Sequence, residues 1–325
     1  MGFVAEWSAI LRTFFGKTDK AIETIPLGTS FAGKSVLVTG ATSGLGLAAA
    51  VIYAQLAAKT VYITARTAAK GAEAKKTIEE RTGVKDVVQV RVLDMDTFNG
   101  VEDFVDGFKK DVKSIDNVLL NAGLFSFRYY TLPDGWESDL QVNVLSTTLL
   151  AILILQWMRE VKEPDQIQHL TFTGSGSHMV PDIGSPKFPK QDILKYSSKR
   201  LSFESGSAQY AVSKLLLMYV SRELADLAVD EAGRDKGLIF KWIEQIYMAW
   251  KASSAEDGAK ALVVATTTND SGNFRRPYMT DEEYTEKARR NVTSVEGQKM
   301  QAKAWREIVD ILKERDPEVS KVVRL

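Results

Sequence analysis

No cysteine occurs anywhere in this chain, so it holds no disulfide and no thiol nucleophile. Histidine is nearly as scarce. His169 and His178 are the only two, which argues against histidine–cysteine zinc sites and against a histidine-based catalytic triad. Net charge is also missing, since 42 Lys+Arg balance 42 Asp+Glu. Nothing in that balance draws the chain to nucleic acid or to an anionic membrane. The longest apolar run, Leu149 to Leu155, falls far short of the ~20 residues needed to span a bilayer and reads as the centre of a buried helix. Proline is absent between Pro189 and Pro277. The N-terminus carries Glu6 and Arg12 inside a short apolar pattern and makes a poor signal peptide. A reducing, cytoplasmic setting fits these absences.

What is present is a core. Apolar residues make up 45% of 325 positions, enough for one large domain or two small ones. Phe3, Val4, Trp7, Ile10, Leu11 and Phe14 fall at helical spacing, so residues 1–30 read as an N-terminal helical arm, with membrane contact as the sharper alternative to docking. Residues 31–325 read as one domain. Strands and helices alternate through it: strands at 35–39, 60–65, 87–93, 117–120 and 167–173, with helices at about 44–57, 67–82, 97–112, 134–160 and 207–229. This rhythm predicts an α/β fold, a doubly wound parallel sheet with helices on both faces. Ligands bind such sheets at the carboxyl ends of the strands.

The most informative segment is Thr39-Gly40-Ala41-Thr42-Ser43-Gly44-Leu45-Gly46. It joins an apolar strand to a helix and so aims backbone N–H groups and a positive helix end at a phosphate. Gly40 permits the turn, Gly44 lets the backbone approach the phosphates and Gly46 lets helix and strand pack. Further motifs stand at strand ends. Asp94 closes the third strand, Asn121-Ala122-Gly123 the fourth, and Ser175 follows the fifth. Asn143 sits in the long helix, and Tyr210-Ala211-Val212-Ser213-Lys214 opens the next one.

In this order the motifs resemble the short-chain dehydrogenase/reductase family over about residues 30–230. The subgroup that looks most similar is the retinol-dehydrogenase-like fungal enzymes of secondary metabolism. Its cues are Thr64-Ala65-Arg66, the long segment before Tyr210, and the stretches Ser254–Gly258 and Thr280–Tyr284. The resemblance implies a Rossmann domain and an oxidoreductase interconverting an alcohol and a carbonyl on an apolar small molecule. Its C-terminal helices would cap the substrate, and a homo-oligomer is compatible with it. Tyr210 would exchange the proton, Ser175 would orient the substrate oxygen, Lys214 would hold the ribose and Asn143 would anchor a water beside Lys214. Ser175 matches the family's second position after the strand, which Ser177 overshoots. Leu45 would present backbone to the pyrophosphate, Asp94 would contact adenine and Asn121 would lie under the adenosine ribose.

The residues support that assignment independently. Tyr210 and Lys214 are four apart and share a helix face. A lysine ammonium beside the phenol would favour the phenolate, and lowering its pKa by ~3 units would take roughly 4 kcal/mol. The second strand ends in Ala65-Arg66, with Lys70 one turn on, where an acidic residue would hold the ribose hydroxyls of NAD. Two cations can face a 2′-phosphate instead, which favours NADP.

One departure stands out. The family carries a sixth strand after the Tyr/Lys helix, ending in a Pro-Gly pair beside the nicotinamide. Here no such pair exists, and Ile239, Trp242, Ile243, Ile246, Tyr247 and Trp250 recur at helical spacing. The expectation is a sheet one strand short, with its fifth strand at an edge or paired by a later segment such as Gly272-Asn273-Phe274, and a nicotinamide site lacking a wall. Two explanations stay open: a catalytically impaired nucleotide-binding or interaction protein, or a segment lost from the sequence of an intact enzyme. Phe125, Phe127, Tyr129 and Tyr130, with the irregular 178–206 segment, are candidates for the substrate pocket.

Overall fold

The computed structural model describes residues 25–163, 166–227, 238–244, 255–267 and 286–323. Residues 1–24 of the expected N-terminal arm (1–30) lie outside the described residues, as do Ser254, Thr280–Tyr284 and the pairing candidate 272–274. A parallel sheet forms the centre, built from β1 (Ser35–Val38), β2 (Thr60–Ala65), β3 (Val88–Val92), β4 (Asn117–Leu120), β5 (Gln168–Gly174) and β6 (Leu238–Glu244). Their order is β3-β2-β1-β4-β5-β6, which places the strand-order reversal between β1 and β4. The flanking helices are α1 (Gly44–Gln55), α2 (Ala68–Thr82), α3 (Phe98–Asp111), α4 (Ser138–Val161), α5 (Gly206–Leu227), α6 (Ala255–Ala265), α7 (Glu286–Val292) and α8 (Val295–Arg315).

Each face of the sheet carries its own core. One holds α1 and α6, where Ala48, Ala49, Ile52 and Tyr53 meet Ala259, Leu262 and Val263. The other holds α3, α4, α5 and α8, with Phe104, Phe108, Leu149, Ile154, Leu216 and Trp305 buried together. α4 is long and apolar enough to cross a membrane, but its apolar window is wholly buried inside the protein. That burial explains a helix apolar on every side. The predicted helices and first five strands form within a few residues of their expected positions.

β6 corrects the sequence reading. Residues 238–244 are not helical; they form a seven-residue parallel strand on β5, from Gln168 opposite Leu238 to Gly174 opposite Glu244. Over so short a window the apolar residues Leu238-Ile239-Phe240 and Trp242-Ile243 satisfy either period. The deciding interaction is non-local. Every residue of β5 is buried, and a bare outer edge would leave its backbone N–H and C=O groups unpaired. β5 is therefore no edge, and the strand expected to be missing is present. The absent Pro-Gly pair remains a fact of the sequence. Ile246, Tyr247 and Trp250 lie outside the described residues.

Candidate active site

The glycine turn is held from three strands. The Thr39 hydroxyl accepts the backbone N–H groups of Asn121 and Ala122, each at 2.9 Å. Asn121 Nδ2 donates to the Thr39 carbonyl at 3.1 Å, and its Oδ1 accepts from the Thr173 hydroxyl at 3.4 Å. Asn121 thus ties together the carboxyl ends of β1, β4 and β5. Gly40 has φ +64°, and a Cβ there would lie 2.8 Å from Ala122 Cα. A Cβ on Gly46 would overlap Asn121 Nδ2 and the Gly40 carbonyl. Gly44, at φ +54°, faces open space. The turn is close-packed beneath and open above.

A cleft of about 610 Å³ runs across these strand ends. Gly40, Ser43, Leu45 and Asn121 line its middle. Arg66 and Lys70 line one end, and Tyr210 and Lys214 the other. Arg66 lies 3.8 Å from Asp96 with its side chain 60% exposed. Asp94, expected at adenine, is not among the lining residues; it accepts the Asp96 N–H at 2.9 Å and closes its own turn. Asp96, two residues on, lines the cleft.

At the other end, Tyr210 and Lys214 rise from the first turns of α5. The Ser175 side chain stands near enough to the Tyr210 hydroxyl to favour its ionisation. Ser175 Oγ accepts the Ser177 N–H at 3.1 Å. Lys214 Nζ lies 5.5 Å from the Tyr210 ring centroid and donates to the Thr173 carbonyl at 3.4 Å. Asn143 sits in a π-helical segment of α4, Gln141–Ser146. Its Oδ1 accepts the Leu124 N–H at 2.7 Å, and its Nδ2 donates to the Leu124 carbonyl at 2.8 Å and to Ser213 Oγ at 3.0 Å. Asn143 Oδ1 and Lys214 Nζ both flank Gly123.

Burial acts against the ionised forms of both Tyr210 and Lys214. Burial pushes the Tyr210 phenol up to about 12, outweighing the Ser175 hydrogen bond that favours ionisation. Burial pushes the Lys214 ammonium down to about 8, partly offset by the Asp139 carboxyl. The ammonium lies over the ring face, and desolvation is the largest cause of the shift in both groups.

Two buried groups beside this cluster went unnoticed in the sequence. His178 is held near 4 by burial, hence neutral, with Nδ1 2.8 Å from the Ser175 carbonyl. Asp139 is buried, and its carboxyl is pushed up to about 7 by desolvation and by the Glu137 charge. A lone acid in an apolar helix carries no sequence signal for this placement.

A parallel sheet with a phosphate-sized glycine cradle at its switch point, and a buried Ser–Tyr–Lys cluster at the end of the same cleft, defines a dinucleotide-dependent oxidoreductase. The sequence pattern of short chain dehydrogenases matches residues 34–167. The short-chain dehydrogenase/reductase phmF of Phaeosphaeria nodorum is 32% identical over 317 residues, covering 91% of this chain and 91% of its own. The short-chain dehydrogenase/reductase ffsI of Aspergillus flavipes is 32% identical over 315 residues, covering 91% and 90%. Among solved structures, an uncharacterised protein of Mycobacterium paratuberculosis superposes with a TM-score of 0.58 at 25% identity, over 77% of this chain and 82% of its own. The chain belongs to the short-chain dehydrogenase/reductase family.

Proposed function

We propose that this protein is an NADP-dependent reductase of an apolar carbonyl compound, of the kind handled in secondary metabolism. The observation that carries the reading is the pairing within one cleft of Tyr210 and Lys214 at one end with Arg66 and Lys70 at the other. The cradle fits a dinucleotide. Gly40, Ser43 and Leu45 would hold the diphosphate, Asn121 and Lys214 would flank the riboses, and Arg66 and Lys70 would face a 2′-phosphate. When bound, the nicotinamide supplies the hydride.

The chain's own residues supply the rest. The Ser175 hydroxyl and the Tyr210 hydroxyl converge on one carbonyl oxygen and orient it. Tyr210 then gives its proton to that oxygen as negative charge develops there, and Lys214, when protonated, stabilises the phenolate left behind. A phenol pushed up by burial holds its proton, which suits donation to a carbonyl oxygen. Phe125 gives the cleft an apolar wall at the Tyr210 end.

The test is NADPH oxidation, followed by its absorbance, with a panel of apolar ketones and aldehydes. Turnover that is abolished by Tyr210→Phe supports the reading. Tight NADPH binding with no turnover of any carbonyl would instead mark a nucleotide-binding protein that performs no reaction.

A further inference from the structure

The loop after β4 is gripped twice from one helix. Asn143 takes both backbone groups of Leu124. One turn earlier, Asp139 Oδ1 accepts the Ser126 N–H at 3.0 Å. Ser138 Oγ donates to Ser126 Oγ at 3.0 Å. From the other side, a Cβ on Gly206 would overlap the Ser126 carbonyl, so the start of α5 backs the same residue. Residues 124 and 126 therefore face inward, and the intervening Phe125 is driven out into the cleft. Its ring meets Tyr210 edge-on, 5.0 Å between centroids, and Phe127 meets Phe125 edge-on at 4.9 Å. Phe125 is 37% and Phe127 69% exposed. Tyr129 belongs elsewhere: its hydroxyl donates to the Ser198 carbonyl, and its ring packs on Phe203 and under Arg200.

Asp139 Oδ2 is buried and has no hydrogen-bond partner. An uncompensated buried carboxyl oxygen is costly, and a helix of this apolar character would be simpler with an apolar residue there. What the carboxyl does provide is the acceptor that orients Ser126. We infer that Asp139 is a positioning residue which, with Asn143, presents Phe125 and Phe127 as an aromatic platform beside Tyr210, and that this platform selects flat aromatic carbonyl compounds over saturated ones of equal size. The inference rests on the reductase reading. The physical basis is ring geometry: a planar π-face stacks on exposed ring faces and edges in ways a puckered hydrocarbon does not.

The test compares naphthaldehyde with its fully saturated decalin counterpart, two aldehydes alike in carbon skeleton and unlike in flatness. The wild type should prefer naphthaldehyde in kcat/KM. Phe125→Leu should cut that preference about three- to tenfold, mostly through KM, which is the range of one aromatic pair. Asp139→Ala should do the same, and Asp139→Asn, which keeps an acceptor for the Ser126 N–H, should restore it. Should Asp139→Ala fail to fold, judged by NADPH affinity, Phe125→Leu and Asp139→Asn still decide. An unchanged ratio in Phe125→Leu, or a collapsed ratio in folded Asp139→Asn, overturns the inference. Calorimetry separates it from the reductase reading. If neither aldehyde turns over, yet naphthaldehyde binds the NADPH-loaded protein more tightly than its counterpart and Phe125→Leu removes the difference, the platform stands and the reductase reading falls.

Discussion

The two ends of the cleft are built in opposite ways. The Arg66 end is wet, its charges sit on exposed side chains, and its recognition elements are backbone N–H groups and long cations. The Tyr210 end is drier: Lys214 and Asp139 are buried there, Tyr210 is partly buried, and desolvation shifts all three. In water, charges meet with little gain and little cost; in the interior, the same groups are shifted by units of pKa. Substitutions at the dry end should therefore have large effects that depend on pH, and those at the wet end small effects that depend on salt.

The sharpest break of that contrast is Tyr210→Phe. Removing only the phenol oxygen should lower single-turnover reduction by ~10²–10⁴-fold, with NADPH affinity by calorimetry little changed. A modest loss would mean that another group delivers the proton. Next is Gly46→Ala in the middle of the cleft. The added methyl overlaps Asn121 and the Gly40 carbonyl, and should destabilise the fold by about 1–3 kcal/mol in urea titrations while weakening NADPH binding.

A third prediction concerns pH. Asp139 has its folded pKa raised to about 7 by burial and by Glu137. The protonated form is thus favoured by folding, and its contribution is full below the ordinary carboxylate range and is lost as pH rises through about 7. Asp139→Asn carries no such penalty, so thermal melts should show the variant gaining stability relative to wild type between about pH 4 and pH 8. A constant difference across that range would show that Asp139 is not desolvated.

The smallest effect belongs to the wet end. Arg66→Asp should weaken NADP binding about tenfold through the lost phosphate pairing and added repulsion, and NAD binding much less. The difference should shrink as salt is added. Equal weakening of both cofactors would remove Arg66 as the discriminating residue.

Much of this architecture was legible because it is local. The run from Val36 to Gly46 encodes its own strand, turn and helix start, and the spacing of Tyr210 and Lys214 puts both on one helix face whatever surrounds them. Periodicity and glycine geometry depend on neighbours in the chain, and neighbours in the chain are what a sequence displays. The tertiary structure decided the remainder. The segment Leu238–Glu244 became a strand because β5 needed a partner for its edge, not because its own period demanded one. Burial pushes the Tyr210 phenol up and the Lys214 ammonium down, an effect that their spacing in the sequence does not display. Asp139 came to hold Ser126 through a contact between an irregular loop and a helix that no local pattern displays. Edge satisfaction and desolvation are properties of the assembled interior, and no window of the chain contains them.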